Sequence, residues 1–214
     1  MIYLIGGPPK CGKTTLAKKL SSTLKIPRIS TDALQSVVQA YTPKAQIAKK
    51  FPWNVRRQQT KRINDLAYNK FTAREIIRCY RTQAQSVFKA IEMLAISELA
   101  DGNDLIIEGY HVEPALIEKL RKKYGSKDIR GIFLVKTDTL QFAENIVKTN
   151  TPNDWIIART INVKTYVKIA QMICQYCKII EAEAERRDLE VLNMDQHFNA
   201  KINEAIGWLK KQTK

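Results

Sequence analysis

Residues 2–20, IYLIGGPPKCGKTTLAKKL, constrain the fold of this chain more than any other stretch. An apolar run breaks into glycines and prolines and then resumes as a lysine-bearing amphipathic pattern, which reads as strand, phosphate loop and helix. GPPKCGKT, Gly7 to Thr14, satisfies G-x-x-x-x-G-K-[ST] in full, and the flanking strand and helix supply the context that such a match requires. Wrapping a polyphosphate takes backbone N–H groups that point inward from a tight turn ending at a helix N-terminus. Gly7 and Gly12 permit that turn. Pro8 and Pro9 lack N–H groups but precede the donor run Lys10, Cys11, Gly12, Lys13, Thr14 and Thr15. Lys13 is expected to reach the β- and γ-phosphates of ATP, Thr14 to hold Mg²⁺, and Thr15 to donate near the α-phosphate.

The 214 residues carry no repeat, low-complexity tract or Pro/Gly/Ser linker, so one domain spanning 1–214 is expected. No apolar run reaches the ~20 residues of a membrane helix. Residues 1–5 lack a basic n-region and run straight into the loop, which favours a first strand over a signal peptide and implies a cytoplasmic setting. The formal net charge of +15 points to anionic partners and leaves nucleotides, phosphorylated metabolites and RNA all open. Cys174 and Cys177 share an apolar helical stripe with Ala170, Ile173 and Ile180 and read as core. Cys11 sits where a helix terminus and lysine charge lower a thiol pKa, so its alkylation is expected to block nucleotide binding.

Downstream, strands and helices alternate. Pro27–Ser30 reads as a short strand before a helix over 31–40, and Pro43 and Pro52 punctuate a basic, helical insertion over 41–72. A capping box, Thr72-x-x-Glu75, opens a long helix to Ala100 whose core face is Ile77, Tyr80, Ala84, Val87, Ile91 and Leu94. Strands follow at 104–108, 130–136 and 189–193, with helices from Pro114, at 138–149, 161–187 and 198–211. This alternation predicts an α/β three-layer fold with a parallel sheet covered on both faces, and ligands at the C-terminal ends of the strands.

Candidate site residues stand at those ends. Asp32, after the second strand, either caps a helix or orients a hydroxyl acceptor and takes its proton. Glu108 closes an apolar strand where a carboxylate can bind Mg²⁺ or its waters. His111 is either a substrate-side hydrogen-bonding group or a plain loop residue. Arg74, Arg78, Arg81 and Gln85 form one stripe on the long helix, either a clamp for an acceptor anion or a solvated basic face. Trp53, Arg56, Arg57, Lys61, Arg62 and Tyr68 offer charge and stacking surfaces that would also suit nucleic acid. The segment 150–160 reads as a lid with Thr151 as N-cap, Pro152 at N1 and Asp154 at N3, and its Arg159 is placed to stabilise charge on a transferring phosphoryl group.

With its loop, the Asp of STDALQSVV, and the E-G-x-H-x-x-P pattern of DLIIEGYHVEP, the chain resembles the adenylate-kinase-like P-loop kinases. Within them it is most similar to 2-phosphoglycerate kinase and zeta-toxin-like kinases. The resemblance implies a five-stranded sheet in the order 2-3-1-4-5, a helical lid, Mg-ATP as donor and Asp32 as the activator of a hydroxyl. It also implies that Asn193-Met194-Asp195 borders the adenine. Where such kinases often carry Arg three residues after the Asp, this chain has Gln35. The expected activity is phosphoryl transfer to a small anionic metabolite. The alternatives are a polynucleotide-end kinase and a nucleotide-dependent regulatory or toxin-like protein.

Overall fold

The computed structural model describes residues 1–148 and 154–211, so Thr151 and Pro152 of the expected lid lie outside the described residues. Five strands form one sheet in the order β2-β3-β1-β4-β5: β1 (Ile2–Gly6), β2 (Arg28–Ser30), β3 (Leu105–Glu108), β4 (Ile129–Val135) and β5 (Glu190–Asn193). Every pairing is parallel. β1, β3 and β4 are buried along their whole length, as near-continuous apolar runs between two helical layers should be. The edge strands β2 and β5 are only partly covered.

Register is what assembles the site. Ser30 pairs with Glu108, and Glu108 pairs with Ile5 immediately before the loop. The end of β2, the end of β3 and the phosphate loop are therefore side by side.

The helices are α1 (Lys13–Leu24), α2 (Thr31–Ala40), α6 (Ala73–Ala100), α7 (Pro114–Tyr124), α8 (Thr139–Lys148), α9 (Val163–Glu185) and α10 (Phe198–Lys211). The insertion adds α3 (Lys44–Lys50), α4 (Pro52–Gln59) and α5 (Asn64–Lys70). α6 starts on the full capping box, with Thr72 Oγ1 accepting from Glu75 N–H and Glu75 accepting from Thr72 N–H. Its face buries Ile77, Tyr80, Ala84, Val87 and Ile91, and Leu94 packs half-buried against the same core. Cys174 and Cys177 are buried on α9. α9 begins at Val163, two residues later than the apolar pattern suggests, because Asn162 caps it by accepting from Lys164 N–H at 2.9 Å.

The insertion is fastened to α6 by aromatic packing. Trp53 lies 6.1 Å from Tyr68 and 5.8 Å from Tyr80, ring centre to ring centre. Rings of this kind each remove about 150–250 Å² from water, which stabilises the join by a few kcal/mol per ring at ~25 cal/mol per Å². Trp53 and Tyr68 are 4% and 5% exposed, which corrects their reading as stacking surfaces for bases: their faces are spent on the core. Among the described residues the expected lid segment holds a 3₁₀ turn, Ile157–Arg159, and the helix start expected at Thr151 lies outside them.

Candidate functional site

The phosphate loop leaves β1 and ends on α1. Gly12 occupies the helix N-cap in the left-handed region at φ 98°, and a Cβ there would also press on the Phe198 ring, so glycine is required twice over. Gly7 has φ 124° and lies against the Leu134 carbonyl. Lys13 is buried and donates to the Pro8 carbonyl at 2.6 Å, folded back across the loop. Thr14 Oγ1 donates to Glu108 at 3.0 Å, and Glu108 is 3% exposed. A hydroxyl and a carboxylate are hard oxygen ligands, suited to Mg²⁺ completed by phosphate oxygens and water. Among the described residues no cluster of three or more His, Cys, Asp and Glu could hold a metal ion.

Cys11 is fully buried, with its Sγ 3.6 Å from that of Cys177. Burial pushes its thiol up, but the Cys177 hydrogen bond and the Lys13 charge outweigh that and leave it below the usual thiol range. The lowered pKa agrees with the expectation for Cys11, but its burial keeps a reagent from the sulfur in this arrangement of the loop.

Lys13 and Thr14 line one wall of a cleft of about 630 Å³. On the opposite wall α2 presents Asp32, Gln35, Ser36 and Gln39 at helical spacing, and α4 presents Asn54, Arg57 and Gln58. Ser30 caps α2 by accepting from Asp32 N–H, so the Asp32 carboxylate is not consumed as the cap. It is 74% exposed. The cleft walls displace water around it and raise its pKa, and the Lys13 ammonium pulls the other way.

His111 is fully buried behind this wall, with Nδ1 2.7 Å from Thr31 Oγ1 and Nε2 2.7 Å from Gln35 Oε1. Gly109, at φ 152°, lets Thr31 close on it, since a Cβ there would stand 1.8 Å from Thr31 Oγ1. The direction of the network follows from one backbone group. Asn54 N–H donates to Gln83 Oε1 at 2.9 Å, so Gln83 Nε2 is the donor to Tyr110 Oη at 3.0 Å and to Gln35 Oε1 at 3.3 Å. Tyr110 O–H donates to the same Gln35 oxygen at 2.6 Å. Gln35 Oε1 is thereby fixed as acceptor, His111 carries its proton on Nε2, and Nδ1 accepts from Thr31. Burial, with Lys13 adding repulsion, pushes the His111 pKa down to about 3, so the ring is neutral. His111 thus backs the Asp32 helix and does not itself face the cleft.

Other expected residues fall elsewhere. Arg81 does not line the cleft: Glu113 takes its Nε at 3.2 Å and Glu183 takes both terminal nitrogens at 2.8 and 3.0 Å, tying α6 to α7 and α9. Arg78 and Gln85 are exposed and outside the cleft. The stripe therefore divides into a structural ion pair and a solvated face. Asp195 Oδ2 accepts from Thr137 N–H and O–H at 2.9 Å, and Asn193 Nδ2 donates to Thr137 at 3.0 Å, which fixes the loop after β5 against the end of β4. Arg159 lines the cleft, as do Trp155, Arg57 and Arg62. Lys10 is ion-paired with Asp154, a 6% exposed residue of the turn before α9.

Several of these side chains carry little sequence signal. The polar stripe Asp32, Gln35, Ser36, Gln39 was readable, as i, i+3, i+4, i+7 next to a strand end. The Gln83–Tyr110–Gln35 contacts join residues far apart in the chain and have no local pattern. Asn64 is fully buried and donates to the carbonyls of Trp155 and Ile156 at 3.2 and 3.4 Å and to Thr160 Oγ1 at 2.9 Å, again without a local signature.

No family model and no curated protein matches the chain. Solved structures do. A gluconokinase from Sinorhizobium meliloti 1021 superposes with a TM-score of 0.56 at 14% identity, over 99% of this chain and 92% of the other. A sugar kinase from Janibacter sp. HTCC2649 gives 0.51 at 14% identity, over 99% and 95%. Among the described residues no helix is long and apolar enough to cross a membrane. Strand order, all-parallel pairing and these likenesses together give the chain the fold of the P-loop kinases.

Proposed function

We propose that this protein is an ATP-dependent phosphotransferase that moves the γ-phosphate of Mg-ATP to a hydroxyl of a small anionic metabolite. The observation that carries this reading is a single cleft with Lys13 and Thr14 on one wall and the uncapped, exposed Asp32 carboxylate on the other. In this reading the loop's N–H groups from Lys10 to Thr15, with Gly7 and Gly12 shaping the turn, hold the donor phosphates. Lys13 swings from the Pro8 carbonyl to the β- and γ-oxygens. Thr14 and Glu108 hold Mg²⁺, which when bound neutralises charge on the β- and γ-phosphates. Asn193 and Asp195, pinned to Thr137, border the adenine.

The acceptor oxygen attacks the γ-phosphorus, its proton passes to Asp32, and the bond to the ADP oxygen breaks. A raised pKa suits Asp32 to that duty, because a base nearer neutrality accepts the proton with less penalty. Arg159 stabilises charge on the phosphoryl group in flight. The buried Trp53 and the limited cleft volume favour a small acceptor over a nucleic-acid end. A reaction supplied by ATP suits the cytoplasm.

The test is a screen of metabolite pools and short oligonucleotides with γ-labelled ATP, with Lys13→Ala as the blank. Label on a small hydroxylated anion that is absent from the blank is expected. Label on oligonucleotides alone, or only free phosphate, would replace this reading.

A further inference from the structure

Two thiols that the proposed reaction does not use meet behind the phosphate loop. Cys11 belongs to the loop and Cys177 to α9, 166 residues further on, and their sulfurs stand 3.6 Å apart with both residues fully buried. Neither lines the cleft, where the loop is represented by Pro9, Lys10, Lys13 and Thr14. All four cysteines of the chain are free, and among the described residues Cys11 and Cys177 are the pair in sulfur contact.

The contact has a direction. Burial and the bond to Cys11 push the Cys177 thiol well up, whereas Cys11 stays below the usual thiol range, so Cys177 donates its proton and Cys11 is the first to become a thiolate. A thiolate touching a second thiol is the arrangement from which a disulfide forms. The pair also has a fixed side and a movable one. The Cys177 sulfur accepts from Lys136 N–H at 3.3 Å, just past β4, and α9 packs along β4 and α8. Cys11 is carried by a turn, and its other contact is the Pro9 carbonyl of that same turn at 3.7 Å. A covalent S–S bond is about 2.05 Å long, well inside the present contact, so the sulfurs must close on each other and the loop is the part that yields.

We propose that Cys11 and Cys177 form an oxidation site, whose disulfide holds the phosphate loop against α9 and withdraws its N–H groups from nucleotide. The oxidant class is a hydroperoxide. The Cys11 thiolate attacks one oxygen of hydrogen peroxide, the O–O bond breaks, and the hydroxide released is protonated to water, leaving a sulfenic acid on Cys11. Cys177 then attacks that sulfur, the S–O bond breaks, and the hydroxide leaves as water with the Cys177 proton. Two sulfurs give up two electrons, and one peroxide becomes two waters. A dithiol reverses the step by exchange. In the present arrangement of the loop the pair is shielded. Pro9 and Lys10 line the cleft, so a movement of the loop opens Cys11 to it, and peroxide, hardly larger than water, needs only a small one. Bound nucleotide holds the loop and opposes the oxidation. The linkage is independent of the kinase reading; its effect rests on the loop's holding phosphate.

The test is peptide mapping by mass spectrometry of protein treated with hydrogen peroxide, paired with calorimetric titration of Mg-AMP-PNP into reduced, oxidised and re-reduced samples. A peptide linking Cys11 to Cys177 is expected, with AMP-PNP bound about tenfold more weakly after oxidation, a usual size for coupling between sites, and restored by dithiothreitol. Because coupling is reciprocal, saturating Mg-AMP-PNP should shift the thiol–disulfide equilibrium in a dithiothreitol buffer toward the thiols by the same factor. Cys177→Ala should lose both the linked peptide and the reversible drop in affinity, and Cys174→Ala, one turn away on α9, should lose neither. If Cys177→Ala does not fold, the wild-type measurements decide by themselves. Absence of the linked peptide, a Cys174–Cys177 linkage in its place, or a disulfide that leaves AMP-PNP affinity within about twofold overturns the proposal. The readout is nucleotide binding and not transfer, so oxidation-sensitive binding in a protein that labels no hydroxyl keeps the oxidation site and removes the kinase.

Discussion

On the phosphate-loop side of the cleft the proposed phosphate donors are backbone N–H groups of consecutive residues, Lys10 to Thr15, carried by one turn. On the opposite side the polar groups are amides, hydroxyls and guanidiniums from separate elements, among them Gln35 of α2, Arg57 of α4, Gln83 of α6 and Tyr110 after β3, which hold one another by side-chain hydrogen bonds in the case of Gln35, Gln83 and Tyr110. The first wall needs a short sequence with glycines where backbone must turn. The second needs several distant elements to arrive in register. Damage to the two walls should therefore look different.

The largest effect is expected at the loop. Lys13→Ala removes the cation proposed to meet the donor phosphates and should lower transfer by about 10³-fold, with the thermal midpoint little changed. Loss of transfer accompanied by unfolding would mean that the Lys13 contact to Pro8 is structural.

Gln35→Leu attacks the other wall. It leaves the buried His111 Nε2–H and the Tyr110 hydroxyl without their acceptor, at about 1–3 kcal/mol for each unsatisfied group. Urea unfolding should show that loss, with nucleotide affinity retained. A variant as stable as wild type would show that the network is not held by the Gln35 oxygen.

A smaller effect depends on pH. His111 is held neutral with a pKa of about 3, against 6.5 unperturbed, so the unfolded chain binds its proton first as pH falls. The stability it contributes is complete above about pH 6.5 and is lost progressively toward pH 3. The urea midpoint should therefore fall between pH 7 and pH 4.5, and less steeply in His111→Gln. Equal slopes would place the titration elsewhere. Smallest of all, Arg78→Gln should change neither stability nor transfer, and a measurable loss of transfer would return that exposed face to the acceptor site.

The same contrast governs what could be read from the sequence. The strands and the loop were legible because strand periodicity and the glycine–lysine spacing are local, whereas the sheet order came only with the resemblance to the P-loop kinases. Asp32 and Glu108 were legible because position at a strand end is enough to place them. The Arg78–Arg81–Gln85 stripe misled because helical spacing shows that residues share a face but not what lies opposite, and for Arg81 that is Glu113 and Glu183. Arg57, Arg62 and Arg159 could not be grouped as one cluster, because Asn64, ninety-odd residues from its partners, is what brings the two segments together.

The central claim is that both walls serve one reaction, and Asp32→Asn tests it most directly. The substitution keeps the size and the α2 cap, which Ser30 provides, and removes only the ability to take a proton. Transfer of label from γ-labelled ATP should fall by about 10²–10⁴-fold while Mg-AMP-PNP binds as tightly as in wild type. Unchanged turnover in Asp32→Asn would contradict it.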